Sequence, residues 1–363
     1  VGLNLAQYLF SRGHIVSVIV LKSGGIPIEQ IKSRWPRINS VVTLGAASSL
    51  RSIGKLKRHF DQNMYDVCLA VIRDANLATS LALRFGGRSK LVMREANTLD
   101  EVGVGRSRVY KALYRGLMRV LYPTCDALIA NSADTASDLR KGKVLAKSKI
   151  QVIGNPVFFE NQIDLSYDGG EKTVTRTTQP YRILTVGRLC EQKNQKQLLK
   201  NFAKVRGTVP DCVLRIVGEG PLLAELKNLA VSLGVEENVE FLSTTTNVYP
   251  HFLAADLFAL TSKWEGFGNV VVEALYFELP VVAYDCPGGV SDILRGGTVG
   301  TLVQAGQHQR FVDEVIGALT TKHRQSERTL RKSRALDFSV ENIGKRYEKV
   351  LLTVLGSQVS GGH

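Results

Sequence analysis

Apolar positions along the chain alternate between two patterns. Short continuous runs bounded by polar or Gly/Pro residues predict buried strands, and longer stretches with apolar residues every three or four positions predict helices. The first stretch, Val1-Gly2-Leu3-Asn4-Leu5-Ala6-Gln7-Tyr8-Leu9, reads as a helix ending at Arg12-Gly13, followed by a strand over His14-Ile15-Val16-Ser17-Val18-Ile19-Val20. A helix over 47–63, a strand over 65–71, a helix over 76–85 and a strand over 90–94 come next. A helix over about 107–121, a strand over 127–130, a helix capped by Ser132 and a strand over 150–153 complete the series, which Asn155-Pro156 breaks. Strands alternating with helices predict a parallel, doubly wound sheet. Such a unit usually opens on a strand, so the helix at Val1 predicts that a preceding strand is missing from this sequence.

Residues 161–180 are polar, hold Gly169-Gly170 and show no periodicity, which marks a linker. A second α/β series follows, with strands near 182–186, 213–217, 239–242, 257–260, 281–284 and 300–303, and helices beginning near Asn194, Pro221, Asn247, Asn269 and Gln307. The predicted organisation is an N-terminal domain over 1–165, a second α/β domain over 166–335, and a segment over 336–363. That segment would form a helix at about 340–355 that packs back on the first domain, ahead of a flexible tail. Two such domains would face each other across a cleft at the carboxyl ends of their strands.

Composition agrees with two cores and narrows the setting. The chain has 363 residues, 44% of them hydrophobic, enough for two domains of ordinary size. Its five cysteines (Cys68, Cys125, Cys190, Cys212, Cys286) are scattered, without metal-ligand spacing or a disulfide framework, which points to a reducing cytoplasm. No apolar run approaches the roughly 20 residues of a membrane span. The net charge of +14 favours anionic partners.

Chemistry concentrates at the ends of the second-series strands. Trp264-Glu265-Gly266-Phe267-Gly268-Asn269-Val270-Val271-Val272-Glu273 follows the strand Asp256-Leu257-Phe258-Ala259-Leu260. Its glycines predict a tight turn, with Asn269 capping a helix that carries Glu273 in its first turn. Free N–H groups and the positive dipole end there suit an anion, whereas Glu265 and Glu273 suit hydroxyls of a sugar or ribose. An ordinary strand-turn-helix with solvated acids fits the same residues. After the first strand comes Gly187-Arg188-Leu189-Cys190-Glu191-Gln192-Lys193-Asn194, whose Arg188 and Lys193 can make charge-assisted bonds to a diphosphate. Val217-Gly218-Glu219-Gly220-Pro221 offers close backbone approach to a nucleotide or simple turn punctuation, and Phe241-Leu242-Ser243 offers backbone groups to a base. The histidines His59, His251 and His308 are isolated and read as surface or packing residues, and Trp264 as a packing residue.

Taken together, Val186-Gly187-Arg188 with Gln192-Lys193-Asn194, Val217-Gly218-Glu219-Gly220-Pro221, Phe241-Leu242, Glu265-Gly266-Phe267-Gly268-Asn269 with Glu273, and Asp285-Cys286-Pro287-Gly288-Gly289 resemble the retaining family 4 glycosyltransferases. The resemblance covers the second domain by motif and the first by pattern. It implies a GT-B fold of two Rossmann-like domains and metal-independent transfer from a UDP-linked nucleotide sugar with retained anomeric configuration. By the same resemblance, Arg188 and Lys193 would neutralise the donor diphosphate, Glu273 would bind ribose hydroxyls and Glu265 the donor sugar. Glu265, Arg188 and Lys193 form the catalytic set. Gly187, Gly218, Leu242, Gly266, Phe267, Gly268, Asn269 and Val270 complete the donor site. Glu265 as a nucleophile in a two-step mechanism is the less favoured option; the family pattern points to front-face attack assisted by the departing phosphate.

Three departures from the family pattern bear on the first domain and the donor site. The opening strand and Gly-rich loop of the family are expected to be missing from the sequence that starts at Val1. Where many members carry a His, this chain reads Met93-Arg94-Glu95-Ala96-Asn97-Thr98, leaving Glu95 and Asn97 as acceptor-side candidates. The glycine that usually follows Phe241-Leu242 is Ser243. Arg108, Lys111, Arg115 and Arg119 recur at helical spacing, with Leu113, Leu117 and Leu121 on another face. A solvated polar face explains this helix, as does contact with an anionic membrane and a polyprenyl-linked acceptor. The expectation is a cytoplasmic enzyme of surface-glycan or lipid-linked oligosaccharide synthesis, peripheral on the inner face of the membrane. A non-hydrolysing UDP-sugar epimerase shares the architecture, but the Glu265/Glu273 arrangement and the basic helix argue against it. A basic nucleic-acid-binding protein is the non-enzymatic alternative that the charge suggests, but nucleic acid is not expected as a partner, because basic residues are spread rather than interleaved with aromatics.

Overall fold

The computed structural model describes residues 1–22, 29, 31, 35, 38, 40–98, 107–146, 149–157, 180–244, 247–321 and 323–356. The linker expected over 161–180 lies almost wholly outside the described residues, as does the tail over 357–363. The chain divides into two compact units, one comprising Val1–Phe158 and Phe338–His363 and the other Phe159–Asp337.

The first unit begins with α1 (Gly2–Ser11), β1 (Ser17–Lys22), β2 (Ser40–Ala46), α2 (Ile53–Gln62), β3 (Val67–Ala70) and α3 (Arg73–Phe85). It continues with β4 (Lys90–Glu95), α4 (Arg108–Leu121), β5 (Ala127–Ala130), α5 (Ala133–Lys141) and β6 (Ile150–Val152). Its strands form two parallel sheets, β1-β2 and β3-β4-β5-β6. Met93, Met118, Leu121, Tyr122, Leu128 and Leu139 pack the core of the larger sheet. Strand β2 is absent from the sequence reading. Its Ser40-Val41-Val42-Thr43-Leu44 is only partly buried, and its conformation is set by pairing with β1 rather than by a long apolar run. Ser132 does cap its helix, accepting a bond from the Thr135 N–H at 3.1 Å.

The second unit contains β7 (Tyr181–Val186), α6 (Gln195–Thr208), β8 (Cys212–Val217), α7 (Leu223–Ser232), β9 (Val239–Leu242), α8 (Tyr249–Ala254) and β10 (Leu257–Leu260). After these come α9 (Asn269–Tyr276), β11 (Val281–Asp285), α10 (Val290–Ile293), β12 (Thr301–Gln304), α11 (His308–Thr320) and α12 (Gln325–Leu336). One parallel six-stranded sheet results, in the order β12-β11-β10-β7-β8-β9. The chain winds outward from β7 through β9, then returns to the other side of β7 with β10. The strand order therefore reverses between β7 and β10, which makes the carboxyl ends of these two strands the topological switch point of the sheet. Leu198 and Phe202 of α6 and Phe311 and Val315 of α11 pack against Ile183, Leu214, Leu257 and Val282 beneath it.

Helix α12 is also missing from the sequence reading, because cations rather than an apolar stripe hold it. Arg331 is buried and donates to the Glu278 carbonyl at 3.2 Å, and Arg334 donates to the Asp292 and Ile293 carbonyls at 2.6 and 2.9 Å. The last helix, α13 (Val340–Gly356), belongs to the first unit and packs on α1. Glu348 of α13 accepts from the Tyr8 hydroxyl at 3.1 Å and meets His14 at 2.8 Å. That contact places His14 outside the sheet, so β1 starts at Ser17 rather than His14, and Ile15 is left 89% exposed.

Candidate active site

At the switch point, the loop after β7 and the loop after β10 are bonded to each other. The Lys263 N–H donates to the Gln192 carbonyl at 2.8 Å, and the Gln192 amide donates to the Trp264 carbonyl at 3.0 Å. The Thr261 hydroxyl donates to the Asn194 carbonyl at 3.1 Å. Within this frame Lys193 Nζ lies 2.6 Å from Glu265 Oε1, which also accepts from the Ser262 hydroxyl at 2.7 Å. The side chains are 16% and 7% exposed, so the pair is largely shielded from solvent and its attraction is little screened. Both contacts fall on Oε1, and two of the three ammonium donors of Lys193 remain for other partners.

A third loop holds Glu265 from the other side. The Glu265 N–H donates to the Pro287 carbonyl at 2.9 Å. Gly288 passes so close that a Cβ there would stand 1.7 Å from the Glu265 carbonyl oxygen, and its φ is +125°, so only glycine fits. Burial, reinforced by the Glu265 and Asp285 carboxylates, pushes the neighbouring Cys286 thiol up to about 12, so it remains protonated and is not a nucleophile.

Two details of the α9 turn differ from the sequence reading. Asn269 is the first helical residue, with Gly268 in the capping position, and Glu273 sits in the second turn rather than the first. Glu273 is half-buried, and burial pushes its carboxyl up to about 7. Among the described residues its side chain has no hydrogen-bond or ion-pair partner. Arg188 is likewise without a side-chain partner and exposed, while its carbonyl accepts from the Gln195 amide at 2.8 Å. Phe267 is buried, and Val270 is half-buried on the outer turn of the helix.

The glycine-rich turns on the other flank serve the sheet first. The Gly187 N–H donates to the Val217 carbonyl and the Gly218 N–H to the Leu242 carbonyl, each at 2.9 Å, joining the ends of β7, β8 and β9. A Cβ on Gly218 would lie 2.0 Å from the Gly187 carbonyl oxygen. This contact accounts for the glycine without a ligand, and the Gly187 and Gly218 N–H groups are already used. Pro221 lies ahead of α7 rather than in its first turn.

In the first unit, Glu95 is buried and fully engaged. Arg73 donates to both of its oxygens at 3.1 Å, Tyr122 donates to Oε2 at 2.6 Å, and the N–H groups of Ala96 and Asn97 donate to Oε1 at 3.1 and 3.3 Å. These bonds make the Glu95 carboxylate an organiser of the following loop. Asn97, at the end of that network, is exposed. The sequence reading missed Arg73, Tyr122, Thr261 and Ser262. The two hydroxyl residues directly after a buried strand were the available signal for the second pair; nothing local marks Arg73 or Tyr122.

The chain has counterparts among known proteins. Residues 171–335 match the family described as Glycosyl transferases group 1, and residues 1–160 match that described as Glycosyltransferase Family 4. An uncharacterized glycosyltransferase of Haemophilus influenzae is 33% identical over 361 residues, covering 97% of this chain and 95% of its own. The Campylobacter jejuni N-acetylgalactosamine-N,N'-diacetylbacillosaminyl-diphospho-undecaprenol 4-alpha-N-acetylgalactosaminyltransferase is 28% identical over 279 residues, 76% of this chain and 73% of its own. Among solved structures, Anabaena Alr3699/HepE in complex with UDP and glucose superposes with a TM-score of 0.73 at 20% identity, covering 97% of this chain and 94% of its own. The chain belongs to the family 4 glycosyltransferases of GT-B fold.

Proposed function

We propose that this glycosyltransferase is a retaining enzyme that moves a hexosyl or N-acetylhexosaminyl group from a UDP-sugar to a glycan or lipid-linked acceptor in cell-surface polysaccharide or oligosaccharide synthesis. The observation that carries this reading is the Lys193–Glu265 pair at the switch point of the second sheet, with Arg188 and Glu273 on the loop and helix beside it.

Each residue then has a chemical role. As the bond from the anomeric carbon to the phosphate oxygen breaks, negative charge builds on the departing diphosphate, and in this reading the Lys193 ammonium and Arg188 guanidinium supply the fixed cations that lower that barrier. Glu273 accepts from ribose hydroxyls. Glu265, anchored through Oε1, turns Oε2 to a sugar hydroxyl, and its ties to Lys193 and Ser262 suit a positioning contact better than a nucleophile. The acceptor hydroxyl attacks from the face the diphosphate leaves and gives its proton to a departing phosphate oxygen. The Phe267 to Asn269 backbone completes the donor site in the second unit. The acceptor is assigned to the first unit, with the loop ending at Asn97. UDP and glucose in the Anabaena structure and the diphospho-undecaprenol acceptor named for the Campylobacter relative support the donor and acceptor classes. A lipid-linked acceptor also implies peripheral contact with the inner face of the membrane.

Proton NMR of the first product formed from an α-linked UDP-sugar tests the stereochemistry. An α-glycoside is expected, and a β-glycoside as the initial product overturns the retaining assignment.

A further inference from the structure

Leu121 and Met118 of α4 are buried in the core of the first unit, and Leu117 and Tyr114 pack against it half-buried. Tyr110 carries the same inward line on to the first turn of the helix, where it is 43% exposed. Leu113, grouped with Leu117 and Leu121 in the sequence reading, lies off this line and is 74% exposed, yet no helix among the described residues is long and apolar enough to cross a membrane. The Ser107 hydroxyl caps α4 by accepting from the Tyr110 N–H at 3.2 Å, which fixes the first turn. The rings of Tyr110 and Tyr114 stack with centroids 5.7 Å apart and planes 28° from parallel.

Topology sets this stacked pair at a ligand edge. Helices α3 and α4 each follow a parallel strand of the larger sheet, so their first turns stand over the carboxyl ends of β3 and β4, where open sheets bind ligands. Asp74 lies in the first turn of α3, and its Oδ1 accepts from the Tyr114 hydroxyl. Burial, reinforced by that bond, pushes the Tyr114 hydroxyl well up, so it stays a donor. Asp74 Oδ2 meets Lys22 at 3.5 Å across an exposed contact, too long to compete with a hydroxyl at ordinary distance. Arg73, the preceding residue, donates to the Asn97 and Thr98 carbonyls and so joins this corner to the loop after β4. An exposed aromatic platform with a carboxylate at its side suits a sugar ring, whose C–H face covers the aromatic ring while hydroxyls at its rim make charge-assisted bonds to the carboxylate. The same carboxylate disfavours a phosphate there.

We infer that Tyr110, Tyr114 and Asp74 form a subsite for a sugar ring of the acceptor, with Tyr110 stacked on the ring and Asp74 Oδ2 accepting from its hydroxyls. This inference rests on the proposed assignment of the acceptor to the first unit and deepens it. The acceptor then arrives already carrying a sugar, which an earlier transfer reaction must have attached. None of the three residues belongs to the proposed donor site.

Saturation-transfer NMR on the full chain tests it, with methyl α-glucoside and methyl N-acetyl-α-glucosaminide as probes and UDP added. Ring protons of at least one glycoside are expected to receive saturation from the wild type. Tyr110→Ala should raise the Kd of that glycoside about tenfold or more, and Asp74→Asn about tenfold. Tyr110→Phe, which keeps the aromatic ring, should stay within about twofold of wild type. Thermal transitions and UDP affinity should be the same in all four proteins. Saturation that survives Tyr110→Ala unchanged would overturn the inference alone, since the bound ring would then sit elsewhere. No saturation of either glycoside by the wild type would overturn it together with the glycan-acceptor reading. A wild type that takes no UDP would instead refute the donor assignment, and the glycoside titration would still decide for or against this subsite.

Discussion

Lys193 Nζ and Glu265 Oε1 lie 2.6 Å apart although their loops follow different strands, β7 and β10, separated by 72 positions in sequence. Removing one partner leaves the other charge shielded from solvent and unpaired. Glu265→Ala is expected to cost about 3 kcal/mol of stability, and Lys193→Met combined with Glu265→Gln much less than the sum of the single changes. A double-mutant cycle by chemical denaturation measures the coupling, and additive effects would show that the pair contributes no interaction energy.

The raised carboxyl of Glu273 should make folding and, in the proposed donor site, donor affinity depend on pH. Its carboxyl is raised to about 7 by burial, above the ordinary value of 4.5. Between these values the folded state holds the proton more tightly than the unfolded chain, so the stabilisation is full below the lower value. It is lost as pH rises towards and past 7, a loss of at most about 3 kcal/mol. Glu273→Gln should flatten this dependence in urea melts at pH 5 to 8, the pH range chosen for the measurement around that shift.

In the proposed donor site, ribose hydroxyls would donate to the ionised form of the same carboxyl, so UDP affinity should strengthen as pH rises through about 7 in the wild type. Binding near neutral pH should release a proton. Calorimetry in two buffers of different ionisation enthalpy detects that proton, and a pH-independent affinity would remove Glu273 from the ribose contact.

Arg73 supports the 95–98 loop from within the first unit. Besides gripping Glu95, it donates to the Asn97 and Thr98 carbonyls at 2.7 and 3.0 Å. Arg73→Ala leaves the Glu95 carboxylate buried and unpaired and should cost about 3–5 kcal/mol. Arg73→Lys, which keeps the charge but not the fork, should preserve the fold while raising the acceptor KM and leaving UDP affinity unchanged. Equal effects on donor and acceptor would contradict the division of roles between the units.

Legibility in the sequence followed how local each cause was. The β7 to β10 strands read clearly because buried parallel strands are continuous apolar runs, as Leu257-Phe258-Ala259-Leu260 is. The two halves of the Lys193–Glu265 pair were each visible as charged residues in glycine-rich turns. Their ion pair was not, because it depends on β10 returning beside β7. Gly218 looked like a ligand contact but is required by the Gly187 carbonyl, a neighbour set by the sheet. Helix α12 was hidden because Arg331 and Arg334 hold it through backbone carbonyls, a signal without hydrophobic period. Glu95 looked available because its partners Arg73 and Tyr122 come from α3 and from the residue after α4.

The most direct test of the account is titration of the full chain with a panel of UDP-sugars by calorimetry, alongside Lys193→Ala. The account predicts that a UDP-sugar binds the wild type and that the variant, still folded by its thermal transition, binds it at least tenfold more weakly, in line with about 1.5–3 kcal/mol for a charged hydrogen bond. Equal affinity in the two proteins would contradict the assignment of this pair to the donor diphosphate.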